Sequence, residues 1–420
     1  MIIKFSVGNY RSFNAIQSIN FKATGLVSED KKVDERNIIS VQDDQVLRIL
    51  ALYGANGSGK SNVLEGLQVF SNLIINSLES DQLAFMTFNP FMYATGNGQN
   101  AGYFQVILVL DGKKFRYGFE LNLSGDIQSE WLFGPAEIKE TYYFKRTGQE
   151  VHVNLERFDE GDGLPLTKLK ADTLFLTFCT AYDGEISTLI RDYFKDQIYF
   201  EGMSRFSGFF VKDYRGIGER ETDALISSGQ KDIVLKWLRE AGMNYEDVEV
   251  ETLDSDRPIQ RRRVWLWKPV FDDQGKVSGK AKLNLARDES EGSKKFYKFI
   301  GILARLFERG GIFVSDEIDS NFHPSLLKKL ISLFQDPAVN KANAQLLFTS
   351  HDTNLMDHDL MRRDQFYFTE KSLREETRLY SLADLKGIRN NADFARQYLS
   401  GIYGAIPILG SYLEEQGEEI

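Results

Sequence analysis

The sequence predicts an α/β protein in which a parallel sheet is joined to an antiparallel β subdomain and to an inserted, mainly helical subdomain. Residues 46–53 form an apolar run of strand character, followed by a glycine-rich loop and an amphipathic helix over residues 61–73. Residues 286–370 alternate helix and strand, which is the pattern of a parallel sheet. Residues 104–121 alternate apolar and polar side chains about an Asp-Gly turn, which predicts an antiparallel hairpin.

Composition indicates a globular protein with a sizeable core. Of 420 residues, 42% are hydrophobic and 27% are charged, and no apolar run approaches membrane-spanning length. The first residues predict a strand rather than a signal peptide, and the single cysteine, Cys179, predicts a buried thiol. We therefore expect a cytoplasmic protein that does not contact a membrane. The net charge of −10 disfavours nucleic-acid binding over the whole surface but leaves a local basic groove open.

These patterns predict that the chain is divided into three parts. Residues 1–154 are expected to form an N-terminal lobe with the glycine-rich loop and a β meander. Residues 155–255 are expected to form the inserted helical subdomain, with one amphipathic helix over 226–241. Residues 256–420 are expected to form a C-terminal lobe that completes the parallel sheet.

Residues 54–61, Gly-Ala-Asn-Gly-Ser-Gly-Lys-Ser, fit the phosphate-binding loop pattern between a strand and a helix. Backbone N–H groups and the helix dipole would together favour an anion there. Lys60 is expected to reach the β- and γ-phosphates of a nucleotide, and the Ser61 hydroxyl to hold Mg²⁺. The alternative is an incidental glycine turn, which the strand and helix flanks disfavour. The candidate nucleotide-binding residues here are Asn56, Gly57, Ser58, Gly59, Lys60, Ser61 and Asn62.

Two acidic residues end a later apolar strand, and a histidine ends the next one. Asp316 is expected to hold Mg²⁺ or its water, and Glu317 to orient and deprotonate an attacking water. Acidic strand ends are common, so taken alone this pair is better explained as an exposed acidic loop, but together with the phosphate-binding loop the Mg²⁺ site is favoured. His351 follows the strand over 345–350 and is expected to contact a γ-phosphate, although helix capping or solvation would also explain it.

Ser290 and Gly292 precede a long helix over residues 294–309. A serine and a glycine at a helix N-terminus can bind a second anion. An ordinary helix cap explains the same residues, so the pattern alone does not decide between them.

In combination these segments resemble the ATP-binding-cassette (ABC) ATPases: the loop GANGSGKSN, a Ser-x-Gly segment before a helix, a strand ending in Asp-Glu, and a histidine after the next strand. The segment Asn-Tyr-Arg-Ser-Phe at 9–13 is similar to the start of RecF- and SMC-like ATPases. Residues 316–324 and 398–407 resemble the RloA-like branch, compact ATPases of anti-phage defence that include the ATPase subunit of the PARIS system.

The resemblance implies an ABC-type ATPase head that uses ATP and Mg²⁺. Two heads would enclose ATP as a homodimer or larger assembly, with Ser290 and Gly292 acting on the partner's nucleotide. Asp319 would link the two sites, His351 would be the switch histidine, and Arg11 would lie near the nucleotide. The signature segment departs from the usual Leu-Ser-Gly-Gly, because Glu289 and Glu291 flank the serine. Acids beside a triphosphate should weaken closure, so slow or trigger-dependent hydrolysis is expected.

The function implied is that of a sensor and regulatory scaffold in antiviral defence, which controls a separate effector, a nuclease or toxin, in response to a phage-encoded trigger. The short segment after His351 leaves little room for a nuclease domain in this chain. A DNA-repair ATPase is one alternative, supported by basic clusters at 261–263 and 362–363. A scaffold that binds ATP without hydrolysing it is another, and an ABC transporter subunit fits poorly because of the large insertion. Gln105 is a candidate glutamine-loop residue, although a glutamine on a strand face explains it better.

Overall fold

The computed structural model describes residues 1–80, 82–95, 100–136, 139–203, 217–252 and 262–407. Within these residues the strands are β1 (Ile2–Gly8), β2 (Gln17–Asn20), β3 (Ile38–Val41), β4 (Asp44–Leu47), β5 (Ile49–Gly54), β6 (Gly102–Leu110), β7 (Lys113–Leu121), β8 (Ile127–Gly134), β9 (Thr141–Thr147), β10 (Glu150–Val153), β11 (Ile198–Glu201), β12 (Asp247–Thr252), β13 (Arg262–Phe271), β14 (Val277–Asn284), β15 (Ile312–Ser315), β16 (Gln345–Thr349), β17 (Phe366–Lys371) and β18 (Thr377–Ser381). The α-helices are α1 (Lys31–Asn37), α2 (Lys60–Asn76), α3 (Leu83–Thr87), α4 (Phe175–Thr180), α5 (Glu185–Asp196), α6 (Ile217–Ser227), α7 (Lys231–Glu240), α8 (Leu285–Asp288), α9 (Glu291–Arg309), α10 (Pro324–Gln335) and α11 (Phe394–Leu399).

The central sheet has the described strands in the order β11-β15-β16-β5-β17-β18. Its neighbours pair in parallel except β17 and β18, which form an antiparallel hairpin. Every residue of β5 is buried, as expected for a parallel strand covered on both faces. Leu50 and Leu52 pack in the same cluster as α2, whereas Ile49, Ala51 and Tyr53 pack in the cluster that contains α9 and α10.

The second sheet is antiparallel, with the order β10-β9-β8-β7-β6-β1-β2 in the described chain. It covers the other side of α2: the ring of Phe70 lies 5.8 Å from that of Phe5 on β1 and 5.2 Å from that of Phe119 on β7. Helix α2 is therefore enclosed between the two sheets, which fixes the glycine-rich loop at its N-terminus. The predicted α/β class, with a parallel sheet joined to an antiparallel β subdomain, is confirmed.

Two local predictions were wrong. The helix expected over 226–241 is two helices, α6 and α7, because Gly229 has φ +85° and ends the first of them. The strand expected over 46–53 is divided at Arg48, since β4 pairs with β3 while β5 enters the central sheet. The Arg48 guanidinium lies at this corner and donates to Asn343 Oδ1 at 2.8 Å.

Residues 155–255 were expected to form an inserted helical subdomain. Part of this range instead packs into the main core and the central sheet. Helices α4 and α5 pack in the same core cluster as α2, and β11 is the edge strand that pairs in parallel with β15. Strands β12, β13 and β14 form a sheet of their own. The domain boundaries themselves remain a prediction. None of the described helices is long and apolar enough to cross a bilayer.

Candidate nucleotide-binding site

The glycine-rich loop connects β5 to α2. Gly59 caps α2 with φ +106°, and a Cβ on it would lie 2.4 Å from Thr377 Oγ1. A side chain is therefore excluded at this position both by backbone conformation and by space. The loop passes close to neighbouring segments and leaves the N-terminus of α2 facing a cavity.

Lys60 is the first residue of α2, and its side chain folds back over the loop. Its Nζ donates to Gly54 O at 2.8 Å and to Ala55 O at 3.2 Å. Burial lowers the pKa of Lys60, and the carboxylates of Asp316 and Glu317 act in the opposite direction. The ammonium is thus held between the glycine-rich loop and the acid pair.

The carboxyl ends of β5, β15 and β16 open into one cavity of about 470 Å³. Each of these strands contributes a predicted site segment, as expected when parallel strands end at the same edge of a sheet. The cavity is lined by Asn56, Gly57, Gly59, Lys60, Ser61, Asn62, Glu65, Gly202, Met203, Asp316, Glu317 and His351. Of the predicted nucleotide-loop residues, only Ser58 is not among them.

The acid pair is held by a threonine that the sequence analysis missed. Thr349 Oγ1, at the end of β16, donates to Asp316 Oδ1 at 2.6 Å and accepts from the Glu317 N–H at 2.7 Å. Glu317 has φ +48°, a conformation that needs such support in a residue other than glycine. The side chain of Glu317 is exposed to the cavity. Residue 349 lies in the predicted strand, but nothing in a single apolar strand marks its hydroxyl as a partner of residues 316 and 317.

A lysine of α9 supports the same loop from its other side. Lys295 Nζ lies 3.1 Å from Glu317 O, 3.1 Å from Ile318 O, 3.0 Å from Ser320 O and 2.7 Å from Ser320 Oγ. The ammonium also lies 5.0 Å from the centre of the Phe322 ring. The first turns of α9 and the loop that carries Glu317 are therefore joined by one side chain.

His351 and Asp319 are brought together by the backbone. The His351 N–H donates to Asp319 Oδ2 at 3.2 Å, and the imidazole lines the cavity. The carboxylate of Asp319 thus connects the loop after the acid pair to the end of β16.

Ser290 and Gly292 do not line this cavity. Ser290 caps α9, with its Oγ accepting from the Ser293 N–H at 3.1 Å. A Cβ on Gly292 would lie 2.5 Å from Asn321 O, so the start of α9 touches the loop that follows Asp319. Ser290 is therefore an ordinary helix cap, one of the two explanations that the sequence allowed. Since neither residue lines the cavity of its own chain, an action on a nucleotide would involve a second copy.

The two acids of the signature segment are paired with lysines. Glu289 Oε1 accepts from Lys268 Nζ at 3.1 Å, and its side chain is 9% exposed. Desolvation raises the pKa of Glu289, but hydrogen bonds from Tyr245 and Lys268 outweigh it and lower the pKa overall. Glu291 is exposed and lies 2.8 Å from Lys294 Nζ. The structure thus compensates the charge that was expected to oppose closure.

Arg11 lies behind the cavity rather than in its lining. It has φ +50°, its backbone N–H donates to Asn89 O at 2.6 Å, and its Nη1 lies 2.5 Å from Glu65 Oε2. Glu65 lines the cavity and was not predicted. Gln105 contacts Trp131 and Arg116 on the antiparallel sheet and is not part of the cavity lining, in agreement with its interpretation as a strand-face residue.

The donor set fits Mg²⁺ bound together with a polyphosphate. The Ser61 side chain and the Asp316 carboxylate line the same cavity as Lys60. Among the described residues there is no group of three or more His, Cys, Asp or Glu that could hold a metal by protein ligands alone. Mg²⁺ commonly keeps waters and is held by one or two protein oxygens plus substrate phosphates, so two protein ligands are sufficient.

Comparison with known proteins places the chain in a family. No curated protein sequence matches it significantly. Among solved structures it is similar to an SMC head domain from Thermotoga maritima (15% identity, 90% of this chain and 98% of that chain, TM-score 0.41). It is also similar to an Smc head bound to the C-winged helix domain of ScpA (12% identity, 90% and 97%, TM-score 0.46) and to an Smc head domain with a coiled coil and joint from Pyrococcus yayanosii (10% identity, 96% and 99%, TM-score 0.42).

The sequence profile described as "AAA domain, putative AbiEii toxin, Type IV TA system" matches residues 49–163 and 246–357. The first range begins with β5 and contains the glycine-rich loop, and the second contains the acid pair and His351. Together they cover more than half of the chain. The protein therefore belongs to this family of AAA-domain proteins.

Proposed function

We propose that the protein binds ATP with Mg²⁺ in the cavity at the ends of β5, β15 and β16 and hydrolyses it to ADP and phosphate. One observation carries the proposal: three strand ends bring a glycine-rich loop, a carboxylate pair and a histidine into one space of about 470 Å³. The N-terminus of α2 and the Lys60 ammonium supply positive potential for the phosphates. The acid pair lies across the cavity from them.

The position of each residue in the cavity suggests its role in hydrolysis. Lys60 would exchange its contacts with the loop carbonyls for phosphate oxygens, while Ser61 and Asp316 would hold Mg²⁺. Mg²⁺, when bound, neutralises charge on the phosphates. Glu317 would orient and deprotonate the attacking water, since its carboxylate faces the cavity and its backbone is fixed by Thr349. His351 would contact the γ-phosphate from the next strand end.

We further propose that two copies enclose ATP between them. Ser290 and Gly292 stand at the N-terminus of a 19-residue helix but outside their own cavity. A helix N-terminus favours an anion, so these residues are suited to the γ-phosphate held by a second copy. Asp319 contacts the backbone of His351 and would link the two sites.

The biological role we propose is that of a cytoplasmic sensor ATPase in anti-phage defence that controls a separate effector, a nuclease or toxin. This rests on the resemblance to the RloA-like and PARIS ATPases. The family description names a putative toxin of a type IV TA system, a context in which proteins act in pairs. A phage-encoded trigger would act by changing ATP-dependent closure.

Measuring ATP hydrolysis and particle mass together, with and without ATP and Mg²⁺, tests the enzymatic part. We expect Glu317→Gln to lower turnover by about 10²-fold or more and to accumulate an ATP-bound assembly. Lys60→Ala should neither bind ATP nor form that assembly. Equal mass in all states would contradict nucleotide-driven closure. If Glu317→Gln forms the same ATP-dependent assembly as wild type, and wild-type turnover is negligible, the protein would be a scaffold that binds ATP without hydrolysing it.

The DNA-repair alternative loses part of its support. Arg362 is 3% exposed and forms ion pairs with Asp34 and, at 2.8 Å, with Asp364. This arginine therefore stabilises the fold instead of offering charge to DNA. Salt-sensitive DNA binding that stimulates hydrolysis would restore the alternative.

The second basic cluster is only partly described. Arg261 lies outside the described residues, and Arg262 and Arg263 lie 3.6 Å from Asp223 and 3.8 Å from Glu251. Exposed arginines that are paired with acids contribute little to a phosphate-binding surface.

A further inference from the structure

Three segments that are far apart in sequence meet beside the glycine-rich loop. Ser12 belongs to the loop after β1, Ser58 and Asn62 flank the start of α2, and Thr377 is the first residue of β18. All three hydroxyl residues are buried: Ser12 is 5% exposed, Ser58 4% and Thr377 3%. Neither Ser12 nor Thr377 lines the cavity, whereas Asn62 does.

Their polar atoms form a continuous chain of hydrogen bonds. Asn62 Nδ2 lies 2.6 Å from Ser12 Oγ, and Ser12 Oγ lies 2.7 Å from Thr377 Oγ1. Thr377 Oγ1 in turn lies 2.7 Å from Ser58 O. The backbone closes the same contact, because the Thr377 N–H donates to Ser12 O at 2.7 Å.

Two acceptors face the hydroxyl of Thr377. Its single proton is directed toward the Ser58 carbonyl oxygen and Ser12 Oγ, each 2.7 Å from Thr377 Oγ1. The Ser58 carbonyl can only accept, so its contact with Thr377 depends on the Thr377 hydroxyl proton. The Asn62 amide donates to Ser12 Oγ from the wall of the cavity, so Asn62, Ser12 and Thr377 connect that wall to the loop backbone.

The orientation of the Ser58 carbonyl determines where the next N–H points. The described chain has no cis peptide bond, and in a planar trans peptide the C=O and the following N–H point in opposite directions. Holding Ser58 O toward Thr377 therefore turns the Gly59 N–H away from Thr377. Gly59 itself lines the cavity, and its missing side chain is what lets the Thr377 hydroxyl approach.

We propose that Thr377 is a positioning residue for phosphate binding: its hydroxyl fixes the Ser58–Gly59 peptide so that the Gly59 N–H faces the bound phosphate. The hairpin of β17 and β18 thereby becomes a structural part of the nucleotide site. Thr369 on β17 supports the same residue, with its Oγ1 lying 2.6 Å from Ser58 Oγ. This inference rests on the proposed binding of ATP and assigns one of its determinants.

The test compares Thr377→Val, which keeps the shape and removes the hydroxyl, with Thr377→Ser, which keeps the hydroxyl. Thr177→Val is the matched control, because Thr177 is equally buried and its Oγ1 donates to a backbone carbonyl, Ile74 O, at 2.8 Å. We expect Thr377→Val to weaken ATP–Mg²⁺ binding about tenfold, as for one lost hydrogen bond, and Thr377→Ser to stay within about threefold of wild type. Thr177→Val should lower the melting temperature similarly without changing ATP affinity.

A second readout does not depend on ATP. Hydrogen exchange measured by mass spectrometry on a peptide that contains residues 54–60 should be faster in Thr377→Val than in wild type or Thr377→Ser. Ser12→Ala combined with Thr377→Val should weaken binding by less than the product of the two single effects, since both interrupt one chain.

The outcomes separate the two proposals. If wild type does not bind ATP, the proposed function fails, and faster exchange in Thr377→Val would still support the role of Thr377 in ordering the loop. If wild type binds ATP and Thr377→Val binds equally well, the positioning role is wrong. The same holds if Thr377→Ser is as weak as Thr377→Val, because the effect would then come from packing of the methyl group.

Discussion

Replacing Lys295 by methionine should slow ATP turnover while leaving nucleotide binding largely intact. Methionine keeps the length and the apolar stem that packs near Phe322, so the substitution mainly removes the ammonium. That ammonium is shared among Glu317 O, Ile318 O and two oxygens of Ser320, all within 3.1 Å. Lys295 does not line the cavity, so a loss of activity would have to act through the position of Glu317.

The size of the effect follows from the number of contacts that remain. A hydrogen bond to a charged group contributes about 1.5–3 kcal/mol, and an ammonium has only three N–H groups for these four acceptors. Thr349 still holds the loop through the N–H groups of Glu317 and Ile318. We therefore expect the active position of the Glu317 loop to become less favourable by about 3 kcal/mol. This corresponds to a decrease in kcat of about 10²-fold. The loss in folding stability should be smaller, about 1–2 kcal/mol, since burying the ammonium also has a desolvation cost.

Steady-state hydrolysis and equilibrium ATP binding should be measured on Lys295→Met, Lys295→Arg and Lys294→Met. Lys294 is the adjacent control, because its ammonium pairs with the exposed Glu291 and, among the described residues, does not hydrogen-bond to the loop that carries Glu317. We expect Lys294→Met to resemble wild type and Lys295→Arg to recover part of the activity. A Lys295→Met variant with wild-type kcat, or one whose ATP affinity falls as much as its kcat, would refute the reasoning.

Three further substitutions test other contacts. Thr349→Val should lower kcat more than ATP affinity, because it frees Asp316 and the Glu317 backbone but does not touch the glycine-rich loop; equal losses in both constants would contradict this. Gly59→Ala should abolish ATP binding and destabilise the fold by about 2–4 kcal/mol in chemical denaturation, because it combines a positive φ with a steric overlap. Asp44→Asn tests pH dependence: hydrogen bonds to Lys114 and Lys22 lower the pKa of Asp44, so its contribution to stability is present above the unfolded pKa of about 3.9 and is lost as pH falls through the lower folded value. The stability difference between wild type and Asp44→Asn should therefore be full at neutral pH and vanish in strong acid, and a difference that grows on acidification would contradict the sign.

The parts of the site that are formed by consecutive residues could be predicted from the sequence. The glycine-rich loop between β5 and α2, the acids after β15 and the hairpin of β6 and β7 all follow from local patterns of apolar and turn-forming residues. The partners that hold them are set by tertiary structure instead. Thr349 and Thr377 are ordinary strand residues until folding brings them to the Glu317 loop and the Ser58 carbonyl.

A short strand, a buried arginine and a break between two helices could not be predicted from the sequence either. Strand β11 has only four residues, too few to show a period, and it follows a helical segment. Arg362 lies in a pair of arginines that suggests a solvated surface, and only its two carboxylate partners explain its burial. Helices α6 and α7 share an apolar pattern that continues across Gly229, so the break could be placed only from the backbone.

The separation of 365 residues between Ser12 and Thr377 has a consequence for how the protein comes to be made. A ribosome releases the glycine-rich loop early, but the hydroxyl that orients it is made 318 residues after Gly59. Contacts between distant residues form late, because the loop-closure entropy must be overcome first. A nascent chain should therefore contain the complete ATP-binding motif long before it can bind ATP, which pull-down of stalled chains on immobilised ATP would reveal as a step near residue 377. Nucleotide binding would then require that residue 377 has been made, and a copy without β18 could not join an ATP-dependent assembly.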